Sequence, residues 1–169
     1  MIGLHIIKKP TQKSWLLFSE GGGLMRLGDN MPQLDGATHW INGRVIEQDD
    51  LLGKPTLIHF WSISCDDCKI ALPQINQLKD HYRETLNVIA VHMTRTEDDL
   101  FIDVVENVAD EYDILHPIYI DNDHFLTDLF NVNYVPAYFI FDDIGKLRYY
   151  QQSGSSSIRT LTRRIERLV

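Results

Sequence analysis

Two periodicities alternate along the chain and mark out its elements. Leu57-Ile58-His59-Phe60-Trp61 is a compact apolar run behind Gly53-Lys54-Pro55, the pattern of a central strand buried on both faces. The period then becomes helical: Ala71, Ile75, Leu78 and Tyr82 define a buried stripe, with a kink expected at Pro73. Asn87–Met93, with four apolar residues in succession, predicts the next strand. Thr96-Glu97-Asp98-Asp99 predicts a helix start with acids in the first turn, the helix running to Tyr112. Residues 116–120 read as a strand and 125–130 as a short helix. Residues 138–141 and 147–151 read as antiparallel strands turning through Asp143-Ile144-Gly145-Lys146. A last helix, capped by residues 153–157, carries Ile158, Leu161, Ile165 and Leu168 on one face.

Before Leu57 the pattern is weaker. Residues 4–7 and 15–18 are apolar stretches split by Pro10-Thr11-Gln12-Lys13, which predicts a hairpin or extended arm ending at the Gly21-Gly22-Gly23 joint. Asn42-Gly43 between residues 39–41 and 44–47 predicts a second hairpin. The expected organisation is an N-terminal extension over residues 1–27 and one main domain over residues 28–169. Strands alternating with helices, then a hairpin and a terminal helix, give an α/β architecture around a mixed sheet.

With 169 residues the chain suits one sizeable core. Its net charge of −8 argues against nucleic acid and anionic membrane surfaces, which favour clustered Lys and Arg. No apolar run near the start is long enough for a signal peptide or a membrane span. The expected setting is cytoplasmic, or extracytoplasmic if a membrane anchor has been lost.

The two cysteines, Cys65 and Cys68, carry the chemistry. With no others present there is no structural disulfide framework, and two thiolates alone make a poor zinc site. A strand that delivers Cys-x-x-Cys to a helix N-terminus places both sulfurs on one turn, within bridging range. Unpaired amides and the helix dipole stabilise a thiolate on the first sulfur. Cys65 is therefore the expected nucleophile, exposed at the turn, and the more shielded Cys68 resolves the mixed disulfide. Two buried cysteines that merely lie close are the alternative.

Trp61-Ser62-Ile63-Ser64-Cys65-Asp66-Asp67-Cys68-Lys69 resembles the Trp-x-x-x-Cys-x-x-Cys-Lys signature of thioredoxin-like proteins. Residues 28–151 further resemble the TlpA/ResA branch of thiol–disulfide oxidoreductases. The supporting pieces are Gly28…Pro32, Asp50-Leu51-Leu52-Gly53-Lys54-Pro55, Pro73, Val132-Asn133-Tyr134-Val135-Pro136 and the strand and turn over residues 139–145. The resemblance implies a thioredoxin fold, with the strand and helix of residues 87–120 as the branch's inserted unit. It implies that Pro136 is a cis-proline facing the disulfide. Val135 would then offer its backbone to an extended substrate segment in the manner of strand addition, and Trp61 would contribute to substrate binding. It calls for a disulfide-containing protein or small-thiol substrate and an upstream thiol reductant, and for no cofactor or metal.

Several positions depart from the family pattern. Asp66-Asp67 stands where a proline is common, and two carboxylates beside Cys65 oppose thiolate formation. That points to a potential nearer thioredoxin's, about −270 mV, than the roughly −120 mV of an oxidant such as DsbA. His59 replaces the buried Asp that thioredoxins carry six residues before the first cysteine, and an imidazole can serve as the proton relay there. The bland reading is a core histidine with a backbone partner. Ala71 stands where many TlpA/ResA members have a relay Glu, and Ser64 where a second Trp is common. His92 and His116 read as structural residues at strand ends.

Two other activities fit the fold. A peroxiredoxin-like peroxidase would have Thr and Pro where this chain has Ser62 and Ile58. A copper- or zinc-binding module would use the two thiolates and a histidine.

Overall fold

The computed structural model describes residues 25–152 and 158–169. The expected hairpin or arm in residues 1–20 and the cap at residues 153–157 therefore lie outside the described residues, as does most of the extension over residues 1–27. Within them, six strands form one sheet: β1 His39–Ile41, β2 Thr56–Trp61, β3 Asn87–Met93, β4 Ile118–Asp121, β5 Ala137–Phe141 and β6 Leu147–Gln152. Four helices accompany it: α1 Asp66–His81, α2 Ile102–Glu111, α3 Phe125–Leu129 and α4 Ile158–Ile165. The strand order is β1-β4-β3-β2-β5-β6. Strands β2, β3 and β4 run parallel; β5, β6 and β1 are antiparallel to their neighbours. This is the expected thioredoxin fold with a mixed sheet.

Strand alternation divides the core. Ile58 and Phe60 point to the face shared with Leu51, Leu126, Phe130 and Phe139. Leu57 and Trp61 point to the other, covered by Leu72, Ile75 and Leu78 of α1, Val105 of α2 and Leu161 of α4. The α1 stripe is Cys68, Leu72, Ile75 and Leu78, so Ala71 lies at its margin. Burying the cysteine rotates the helix by part of a turn from the expected stripe.

Two expected elements are corrected. Residues 44–47 do not pair with β1. Asn42, at a φ of 60°, donates its side-chain amide to the Ile114 carbonyl, and β1 pairs with β4 instead (Ile41 with Ile118, Trp40 with Tyr119). That pairing buries Ile41, whereas Val45 stays 56 % exposed, so burial outweighs the local turn signal. The helix expected from residue 96 begins at Ile102, behind a 3-10 turn at Asp98–Leu100. Asp99 turns its carboxylate inward onto the amides of Arg95 and Thr96 and does not complement a helix dipole.

Candidate active site

Strand β2 runs straight into the site. Its last residue, Trp61, is followed by the turn Ser62-Ile63-Ser64, in which the Cys65 amide donates to the Ser62 carbonyl at 3.1 Å. Cys65 is the N-cap of α1, with extended φ and ψ of −113° and 105°. Its Sγ accepts the Cys68 amide at 3.1 Å, so one of the helix's unpaired donors points at the sulfur. Cys65 and Cys68 are joined as a disulfide, with Cα atoms 5.3 Å apart. Cys65 is only 5 % exposed and Cys68 1 %, so the first cysteine is less open than expected, although the order of shielding holds. The neighbouring Asp66, Asp67 and Ile70 are exposed.

The Val135–Pro136 peptide bond is cis, and the half-buried Val135 brings its carbonyl to 3.6 Å from Cys65 Sγ. Tyr134, just before it, is exposed. Trp61 lies 1 % exposed in the same core cluster as both cysteines and Leu72. It supports the disulfide from within and presents no surface to a partner, which removes the basis for its expected substrate contact.

His59 is buried, and its Nε2 lies 2.8 Å from Nε2 of His116, one ring donating and the other accepting. Burial pushes His59 well below the ordinary imidazole value, and the neighbouring His116 adds to this. Burial also takes His116 down to about 4, assisted by Lys79 and opposed by Asp80. His116 also lines a cavity of about 440 Å³ with Lys79, Arg83, Asn87 and Pro117 at the N-terminal ends of the parallel strands.

A second cluster fixes the turn before Cys65. Asp99, fully buried, accepts at one oxygen from Ser62 Oγ (3.1 Å), Ser64 Oγ (3.0 Å), the Arg95 amide (2.7 Å) and the Thr96 amide (2.8 Å). Burial works to raise its pKa, but these four donors outweigh it and leave the carboxyl below the usual value. His92 Nε2 accepts the Ile63 amide at 3.3 Å, and its ring meets Trp61 edge-on. Burial lowers His92 to about 4, against the pull of Asp99. The sequence singled out neither Asp99 nor Ser62 as part of the site, and it left His92 and His116 as isolated structural residues. The Ser-x-Ser step before Cys65 and the Asp98-Asp99 doublet were the available signals.

Among the described residues no three His, Cys, Asp or Glu side chains are placed to hold a metal ion. None of the described helices is long and apolar enough to cross a membrane.

Residues 27–150 match the AhpC/TSA family. The chain is 49 % identical over 145 residues to the thiol-disulfide oxidoreductase YkuV of Bacillus subtilis (strain 168), covering 86 % of this chain and 97 % of that one. It is 31 % identical over 134 residues to the thiol-disulfide oxidoreductase ResA of Oceanobacillus iheyensis, covering 78 % and 67 %. The solution structure of a thioredoxin-like protein in the oxidised form superposes with a TM-score of 0.78 at 50 % identity, over 85 % of this chain and 97 % of that one. With a Cys-x-x-Cys disulfide capping α1, this chain belongs to the AhpC/TSA family and is a thiol–disulfide oxidoreductase of thioredoxin-like fold.

Proposed function

We propose that the chain reduces disulfides, with Cys65 as nucleophile and Cys68 as resolving thiol. The observation that carries this reading is the Cys65 sulfur at the N-cap of α1, facing the Cys68 amide at 3.1 Å. In the reduced protein a thiolate at that place gains a charge-assisted hydrogen bond and the positive end of the helix.

The Cys65 thiolate attacks one sulfur of a substrate disulfide. That S–S bond breaks, a mixed disulfide forms, and the leaving thiolate takes a proton from solvent. Cys68 then loses its proton and attacks Cys65 Sγ. The Cys65–Cys68 disulfide forms and the second substrate thiol departs, so two electrons pass from protein to substrate. An upstream dithiol returns the centre to its reduced form by the reverse exchange.

His59 is the group we assign to relay the Cys68 proton, passing one on to His116 without keeping the charge that its burial disfavours. Two features support this: the side chain alternates onto the face of β2 that α1 covers, and its Nε2 is hydrogen-bonded to a second neutral imidazole. Val135 and Pro136 form the edge along which an extended disulfide-bearing peptide lies, beside the sulfur it attacks. A cytoplasmic setting, where small-thiol pools keep dithiols reduced, suits this direction of flow.

The peroxidase alternative is disfavoured by Ser62, whose hydroxyl donates to Asp99 and accepts the Ser64 amide. Equilibrating the purified protein in dithiothreitol buffers and counting free thiols tests the reading. A two-electron transition below about −250 mV is expected, and one above about −180 mV overturns the reductive direction. Cys65→Ser is expected to abolish disulfide reduction; retained turnover removes Cys65 from its role.

A further inference from the structure

The turn that carries Cys65 is held by side chains from outside its own strand and helix. Ser62 and Ser64 both reach the Asp99 carboxylate. Ile63 donates its amide to His92, and the Ser64 carbonyl accepts from Arg95 Nη1 at 3.2 Å. Every residue between Trp61 and Cys65 is thus tied to the segment that begins at the end of β3. Four donors converge on one Asp99 oxygen, while the other is buried and takes no hydrogen bond among the described residues. A carboxylate built into such a site keeps its negative charge, which sits one hydrogen bond from the residue preceding the nucleophile.

We propose that Asp99 is a positioning residue of the dithiol centre: its carboxylate fixes the Ser62–Ser64 turn and sets the charge that faces Cys65. The inference rests on Cys65 being the nucleophile. In a buried setting a fixed negative charge opposes formation of a second one, so Asp99 holds the Cys65 thiolate back and favours the disulfide. The Ser62 and Ser64 hydroxyls and the Arg95 and Thr96 amides spread that charge and moderate its effect. The other groups around the turn are Arg95 on Ser64, the neutral His92 ring under Ile63, and the exposed Asp66 and Asp67 at the start of α1. Asp99 is the buried carboxylate among them.

Two substitutions separate charge from scaffolding, because they move the couple in opposite directions. Asp99→Asn removes the charge; the thiolate becomes easier to form and the dithiol gains against the disulfide. Ser64→Ala, at an exposed position, removes one donor, leaves more charge on the carboxylate, and shifts the couple the other way. The measurements are the glutathione equilibrium of the couple and the pH midpoint of Cys65 alkylation by iodoacetamide in a Cys68→Ser background.

For Asp99→Asn the expected change is about tenfold toward the dithiol, equivalent to about 30 mV for two electrons, with a lower alkylation midpoint. For Ser64→Ala it is roughly twofold toward the disulfide, with a higher midpoint. Shifts of the same sign, or no shift in Asp99→Asn, overturn the proposal even if the variant melts earlier. If Asp99→Asn does not fold, the sign of the Ser64→Ala shift decides alone. Failure of the underlying reading would look different: the Cys65→Ser protein would still reduce disulfides.

Discussion

Two buried polar clusters involve β2 and the turn that follows it, and they treat charge in opposite ways. At the C-terminal end of β2, Asp99 stays ionised because four hydrogen-bond donors converge on it. His59, on the α1-covered face, and His116 have only each other as hydrogen-bond partners among the described residues, and both are held neutral. Burial penalises charge at both places. What differs is the supply of dipoles, since backbone amides and hydroxyls can replace water around a carboxylate, whereas one imidazole cannot solvate another's cation. The difference is one of solvation: the carboxylate tied to the turn before Cys65 keeps its charge, and the imidazole pair that includes His59 of β2 stays neutral.

Acid should separate the two clusters most widely. His92 and His116 fold with values near 4, below the roughly 6.5 of a free imidazole, so the unfolded chain takes up protons first. Their contribution is complete above pH 6.5 and is lost as pH falls toward 4. The loss for the two together is on the order of 5 kcal/mol between pH 7 and pH 4.5. Asp99 has a depressed value, so its contribution is lost only as pH falls below the usual carboxylate range. Urea midpoints measured from pH 7 to pH 3.5 should show a first decline belonging to the histidines. A flat profile down to pH 4.5 would remove the contrast.

Asp99→Ala comes next in size. It leaves two amides and two hydroxyls without their acceptor, at an expected cost of about 3 kcal/mol in urea denaturation at pH 7. His116→Phe strands a single ring nitrogen on His59 and should cost about 1–2 kcal/mol. Combining it with His59→Phe should restore part of that loss, because no polar atom of the pair is then left unmet. Strict additivity of the two changes would mean that the 2.8 Å contact contributes nothing.

The smallest effect lies outside both clusters. Tyr134, exposed just before Val135, lies where an extended partner would pass. Tyr134→Ala should raise KM for a protein disulfide about threefold, as rim positions do, and leave a small disulfide substrate unaffected. Equal effects on both substrates would place Tyr134 in the chemistry and not at the docking edge.

Much of the fold was legible because local pattern and burial agree in it. Asn87–Met93 forms the strand expected, and β2 extends the apolar run by one residue, to Thr56–Trp61. The misreadings occur where local and long-range preferences conflict. Asn42-Gly43 carries a hairpin signal, yet β4 offers a partner that buries Ile41, and the turn serves to leave the sheet. Asp98-Asp99 carries a helix-start signal, but one of the two acids faces solvent and the other is committed to the Cys65 turn.

The sequence by itself determined the chemistry. Two cysteines three apart, between a buried strand and an amphipathic helix, place two sulfurs at a helix N-terminus, and local geometry is sufficient for that. Which polar groups surround those sulfurs was decided only by tertiary structure. Asp99 lies 34 positions beyond Cys65 and His116 57 positions beyond His59 (99 − 65 and 116 − 59). Such partners meet only when β2, β3 and β4 align side by side in the sheet. Pairing across a parallel sheet is set by burial and register over the whole domain, which no short window of the chain contains.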